Sequence, residues 1–152
     1  MVRYRERVWP SVWFFVAGAL VIPAVILVFT PINRTVGAMI AIALYVLVVA
    51  ALVASSPVVE VSDRILRVGS ARMPLAVTGD VTAYTTRADA RRAAGPGLDA
   101  RAWLCLRGWA GTSARVDVAD PHDPVPYWLF STRHPERLRD AIVAGRAEPR
   151  AE

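Results

Sequence analysis

Charged residues vanish from this chain over two long stretches. None occurs from Val8 to Asn33, and after Arg34 none occurs from Thr35 to Val59. The most apolar parts, Val12 to Phe29 and Val36 to Ala54, hold 18 and 19 residues. Each would rise about 28 Å as a helix, close to the hydrocarbon thickness of a bilayer at ~30 Å. A backbone in lipid must satisfy its own hydrogen bonds, which predicts two transmembrane helices. The connector Pro31 to Thr35 is too short to recross a bilayer, so the helices form an antiparallel hairpin. Arg3, Arg5 and Arg7 precede the hairpin, Arg34 alone lies in the connector, and Arg64, Arg67 and Arg72 follow. Positive residues favour the cytoplasmic side. The pattern therefore predicts a multi-pass protein of the cell (plasma) membrane with both termini cytoplasmic. Trp9 and Trp13 suit the inner interface, Pro23 predicts a kink, and Gly18, Gly37, Ala41 and Ala43 allow close helix approach. Ala17-Gly18-Ala19 offers small residues for signal cleavage, but the apolar run continues past them without a polar region. A retained anchor is expected.

Beyond Pro57 the texture changes to short apolar runs between turn residues. Val58 to Ser62 and Ile65 to Gly69 read as a hairpin about Asp63-Arg64. Arg72 to Leu75 reads as an edge strand, because Pro74 cannot donate inside a sheet. Asp80 to Thr85 is a further strand, and Thr86 to Ala94 a short helix ended by Gly95-Pro96-Gly97. Ala100 to Leu106, apolar nearly throughout, reads as a central strand, and Ala114 to Ala119 and Pro126 to Thr132 as two more. His134-Pro135-Glu136 opens a last helix, with Leu138, Ala141 and Ile142 on one face and Gly145 as its stop.

Seven strands and a closing helix predict a pleckstrin-homology-like β-barrel capped by one C-terminal helix, with a small open α+β sheet as the competing plan. The expected fold class is a membrane α-helical hairpin plus a small β-rich (α+β) domain. The expected divisions are a cytoplasmic N-terminal flank (1–11), the two-helix transmembrane hairpin (12–56), the cytoplasmic domain (57–145) and a flexible tail (146–152). Removing residues 1–56 is then expected to leave a folded, soluble domain.

Charge and cysteine content narrow the function classes. All 18 basic residues are arginine and the formal net charge is +5. From Pro57 onward 14 arginines face 12 acidic residues, a mixture unlike a nucleic-acid-binding stripe. Cys105 is the only cysteine, so no intrachain disulfide or cysteine metal cluster can form. No ionisable side chain lies within either span, which argues against a proton path or a transporter core.

The run from Asp117 through Pro121-His122-Asp123-Pro124 to Tyr127-Trp128-Leu129-Phe130-Ser131-Thr132-Arg133 resembles a signature of small actinobacterial membrane proteins, the domain of unknown function DUF3093. Tyr4-Arg5-Glu6-Arg7 with Trp9-Pro10, and Arg101-Ala102-Trp103-Leu104 with Arg107, fit the same pattern. The resemblance extends to about Gly145 and implies an integral membrane protein, without implying an activity or catalytic residues. More loosely, two helices followed by a strand-rich module resemble bacterial membrane proteins with pleckstrin-homology-like domains.

Arg87, Arg91 and Arg92 form the best basic patch. Arg87 and Arg91 share a helix face and can meet anionic headgroups at about 1 kcal/mol each. Tyr127 and Trp128 point oppositely in a strand, so one is expected in the core and the other outside. An exposed Trp128 beside Arg133 would contact a partner or a membrane surface. Arg87, Arg91, Arg92, Trp128 and Arg133 are thus the candidate lipid- or partner-binding residues. Asp120, His122 and Asp123, with His134, are the alternative, for a divalent metal or acid–base chemistry. Their spacing matches no metal motif, and Pro121, Pro124 and Pro126 mark a rigid loop whose Asp side chains satisfy turn backbone. Cys105 is expected to be buried and unreactive, and no recognised motif places a base beside Ser131 or Thr132. No catalytic constellation and no cofactor is implied.

The expected function is a non-enzymatic, membrane-anchored binding module offering a cytoplasmic β-barrel to a protein partner or anionic lipid. The alternatives are a membrane-bound metal-dependent hydrolase using Asp120, His122 and Asp123, or an accessory subunit of a transporter or envelope complex. The expected partners are the lipid bilayer, anionic headgroups, and a membrane protein or second copy of this chain; nucleic acid is not among them.

Overall fold

The computed structural model describes residues 2–147. The chain divides into two compact units, one of residues 1–8 with 57–152 and one of Trp9–Ser56. The expected flexible tail falls outside the described residues except for Arg146 and Ala147, which are helical.

The second unit is helical, with α1 (Val12–Ala19), α2 (Val21–Phe29) and α3 (Arg34–Ala54). The break between α1 and α2 follows from Pro23. Proline lacks the N–H that would bond the Ala19 carbonyl, and its ring crowds that oxygen. The Leu20 N–H turns instead to Ala17 O at 3.2 Å. Asn33 starts α3, its Oδ1 accepting from the Thr35 N–H at 3.0 Å and the Val36 N–H at 3.2 Å, as an N-cap does. Small residues let α3 approach its neighbours. A Cβ added at Gly37 would lie 2.6 Å from Phe29 Cβ, and one at Gly18 would lie 2.9 Å from Val48 Cγ1. The segments Val12–Phe29 and Arg34–Ala54 are both long and apolar enough to cross a membrane.

The other unit is α+β. Its first sheet is an antiparallel meander of β1 (Val2–Arg7), β2 (Val58–Ser62), β3 (Ile65–Val68) and β4 (Ala71–Pro74), in that order. Alternation sends Val59, Val61, Leu66, Val68 and Met73 inward, as one buried face requires. Asp63 and Arg64 both take positive φ, 45° and 64°, the geometry of a two-residue hairpin turn. The N-terminal flank is therefore not a flank. Arg5 pairs with Glu60 and Arg7 with Val58, and the Val8 N–H bonds Pro57 O at 3.0 Å. The chain leaves this unit and re-enters it at adjoining points.

After a 3-10 turn at Leu75–Val77, β5 (Thr78–Tyr84) begins a second sheet. α4 (Arg87–Ala93), β6 (Trp103–Cys105), β7 (Ser113–Val118), β8 (Tyr127–Ser131) and α5 (Pro135–Ala147) follow. The sheet order is β5-β7-β8-β6, with β6 parallel to β8. The expected closed barrel does not form. Pro74 and the 3-10 turn end the first sheet, and the eight strands among the described residues lie in two separate four-stranded sheets. β6 is a three-residue edge strand rather than a central one. The central strand with every residue buried is β8. Both Tyr127 and Trp128 are covered, because β8 has neighbours on both edges and cover on both faces.

α5 packs its Leu138 and Ile142 into the core with none of their surface exposed. It runs through Gly145 instead of stopping there. A Cβ at Gly145 would sit 2.5 Å from Leu75 Cδ1, so glycine serves close packing. Arg146 secures the helix end by donating to Thr78 O and Gly79 O at 3.1 and 2.8 Å.

A strand supplied from before the hairpin changes the expected result of truncation. A chain starting at Pro57 lacks β1, uncovers the β2 edge and should fail to fold. Replacing residues 9–56 by a Gly/Ser linker of about four residues, the length of a hairpin loop, should give a soluble domain with a dispersed NMR spectrum. An equally dispersed spectrum from residues 57–152 alone would contradict this role for β1.

Candidate functional site

β8 is buried on both faces, so the outer face of the second sheet needs a cover. Residues 87–111 supply it. The Asp99 N–H donates to the Tyr127 hydroxyl at 2.7 Å, and the Arg107 N–H to Ser131 Oγ at 2.8 Å. The cover is incomplete and leaves a cleft of about 290 Å³. α4 forms one wall. Thr86 caps it, its Oγ1 accepting from the Asp89 N–H at 3.1 Å. Arg87, Ala90, Arg91 and Ala94 then line the cleft, which is the spacing of one helix face. Arg107 lines the opposite side, with one guanidinium N–H bonded to Leu106 O at 2.9 Å. Gly111 leaves room for Arg87, whose Nε would lie 3.4 Å from a Cβ placed there.

The floor is polar. Ser113 of β7 and Ser131 of β8 are direct register partners, and both are buried. Ser131 Oγ is engaged by Arg107, but Ser113 Oγ is buried with no hydrogen-bond partner. No Asp or Glu among the described residues lines the cleft. Arg87 and Arg91 make no ion pair among the described residues. Arg87 and Arg91, with Arg107 beside them, surround an unpartnered hydroxyl, and an anion placed there would gain partners.

A second polar cluster is closed rather than open. The Glu6 carboxylate accepts from the Tyr4 hydroxyl, from Thr132 Oγ1 at 2.7 Å and from the Arg133 N–H at 2.9 Å. His134 Nδ1 lies 3.8 Å from it. These bonds clasp β1 to the end of β8. Burial, reinforced by the neighbouring Glu6 carboxylate, pushes the Tyr4 phenol well above its ordinary value of 10.0.

The sequence candidates separate accordingly. Arg87 and Arg91 share the cleft; Arg92 is on α4 but does not line it. Trp128 is only 8% exposed, its ring tilted at 38° against Trp103 with centroids 4.5 Å apart, so it packs mainly in the core. Arg133 lies beside the Glu6 clasp. Asp120 accepts the His122 N–H, and Asp123 accepts the Val125 N–H, each at 2.9 Å. Both are turn-stabilising bonds. His134 stands past the other end of β8, about 16 Å of strand away. No three His, Cys, Asp or Glu side chains among the described residues are gathered to hold a metal. Cys105 is half-buried, and burial raises its thiol pKa while Arg107 opposes the rise.

Arg107, Ser113 and Glu6 were not among the sequence candidates. Arg107 and Glu6 stood within the segments that carry the family resemblance, while Ser113 carried no signal. Those distant segments, Tyr4 to Arg7 and Ser131 to Arg133, meet in the clasp. A family model described as "Protein of unknown function (DUF3093)" matches residues 3–142. The chain belongs to the DUF3093 family. No curated protein and no solved structure matches it. The DUF3093 match runs through β1, the apolar hairpin segment and all eight strands, so it covers both the clasp and the cleft.

Removing the clasp has a defined cost. Glu6→Ala removes the acceptor of the Arg133 N–H, leaves the Tyr4 and Thr132 hydroxyls, as donors, only their mutual contact at 3.2 Å, and should destabilise the α+β unit by about 3 kcal/mol. The Tyr4 phenol adds a pH signature. Its folded-state pKa is raised, so above about pH 10 the unfolded state releases its proton first and stability falls as pH rises. Unfolding midpoints measured from about pH 9 to about pH 11 should decline less steeply in Tyr4→Phe than in the wild type. Parallel declines would contradict the assignment.

Proposed function

We propose that this protein is a non-enzymatic, membrane-anchored binding module that holds an anionic ligand in its arginine-lined cleft. Residues 12–54 span the cell membrane as a hairpin, and the α+β unit lies in the cytoplasm. The observation that carries the binding reading is that Arg87, Arg91 and Arg107 line one cleft, with no carboxylate among its described lining residues. A cationic site of this kind favours anionic lipid headgroups over neutral ones.

The anchor reading is supported by exposure and connectivity. Side chains such as Trp13 and Leu27 are each 77% exposed, an apolar surface too large to leave in water. β1 and β2 are hydrogen-bonded neighbours, so both flanks of the hairpin share a side and the number of crossings is even. Arginine-rich flanks favour the cytoplasm for that side. Two sheets, one antiparallel and one mixed, with a helix packed against both are read as an open form of the pleckstrin-homology-like plan, and an actinobacterial membrane protein is the setting the sequence resembles. The hydrolase reading has no gathered donor set behind it among the described residues.

The test is native mass spectrometry of the full-length protein released from its own membranes in mild detergent, beside Arg87→Ala/Arg91→Ala/Arg92→Ala. The expected result is anionic lipid retained by the wild type and lost from the variant. A protein partner lost in the same way would move the assignment to a protein ligand. Equal retention by both proteins, or none by either, would overturn the cleft as a binding site.

A further inference from the structure

The cleft differs from a merely basic surface in three ways. It has a bounded volume of about 290 Å³, at the lower end of small-molecule sites. Its cations come from two separate elements, α4 and the loop after β6. Its floor holds Ser113 Oγ, a buried hydroxyl with no partner, in a molecule where buried polar groups normally find one. Such an orphan costs stability unless something binds it.

A planar carboxylate is satisfied by one bidentate guanidinium. Three guanidiniums on two elements and a hydroxyl beneath them ask for an acceptor with more oxygens in three dimensions. A phosphomonoester has three terminal oxygens and a charge near −2 (roughly −1.5 to −2 at neutral pH). The volume leaves room for a small attached group but not for an extended protein surface, which would bury about 800 Å² per partner.

We infer that the cleft is a phosphomonoester site, in which Arg87, Arg91 and Arg107 hold the terminal oxygens and the Ser113 hydroxyl donates from the floor. This rests on the anion-binding reading above and narrows it to one ligand chemistry. The same group is carried by a soluble sugar or glycerol phosphate and by the lipid phosphatidic acid.

Two measurements on the full-length protein separate these sources. One is calorimetric titration of glycerol 3-phosphate into protein held in phosphatidylcholine nanodiscs. The other is retention of phosphatidic acid against phosphatidylglycerol, a phosphodiester, in native mass spectrometry. Binding of glycerol 3-phosphate supports a soluble ligand; preference for phosphatidic acid without it supports the lipid. In either arm Ser113→Ala should weaken binding about tenfold, the effect of losing one hydrogen bond to a charged group. Its thermal midpoint should not fall, because the substitution removes an unsatisfied hydroxyl. Arg91→Gln, on an exposed helix face, should weaken binding at least as much without unfolding the chain. No binding in either arm, or binding that Ser113→Ala leaves unchanged, overturns the phosphomonoester assignment. Arginine-dependent retention of phosphatidylglycerol alone would leave the broader anion-binding reading standing while this one fails.

Discussion

Pairing of Val2–Arg7 with Val58–Ser62 joins two strands separated by fifty residues of chain. Almost every other feature depends on that closure. It fixes where the apolar helical segment leaves and returns, through the bond between Val8 and Pro57. It places the edge of the first sheet so that Glu6 reaches Thr132 and Arg133 beyond β8. Closing so long a loop carries an entropy cost that grows only slowly with length. The backbone ladder, the buried Val59 and Val61, and the Glu6 clasp together offset it.

The second sheet generates the site from a different constraint. A strand buried on both faces needs cover on its outer side, and Tyr127, Leu129 and Ser131 receive it from α4 and the loops on either side of β6. The cover is tied down at Asp99 and Arg107 and left open beside α4. Ser113 and Ser131 occupy outward positions where apolar side chains would have closed the gap. Arginines at one helix spacing line that opening. The cleft is thus a consequence of how an α+β sheet protects its outer face, with its polarity set by a few side chains.

Much of this architecture is legible in the sequence because it is local. The hairpin turn at Asp63-Arg64, the Thr86-capped helix and the Leu138/Ile142 face follow from period and turn chemistry within a few residues. What escapes is non-local. Tyr4-Arg5-Glu6-Arg7 reads as a charged flank, since its alternation has meaning only once β2 lies beside it. The apolar run at Ala100 to Leu106 reads as a central strand, yet it is an edge whose Trp103 and Cys105 pack against the core while Leu104 stays exposed. Arg87 and Arg91 were identifiable by spacing, whereas Arg107 and Ser113 come to them only through the sheet register. Trp128 was ambiguous because strand alternation cannot tell a two-faced strand from a half-exposed one.

Disulfide trapping across the first sheet tests the central closure most directly. The variant carries Arg5→Cys and Glu60→Cys, which are register partners, in a Cys105→Ser background that removes the only native thiol. Opposed strand positions have the Cα separation a disulfide needs. Oxidised in intact membranes, it should form an intramolecular crosslink, while Arg5→Cys with Asp123→Cys should not. A membrane-inserted protein that forms no crosslink at that register would contradict both the pairing of β1 with β2 and the proposed placement of the two hairpin flanks on one side of the bilayer.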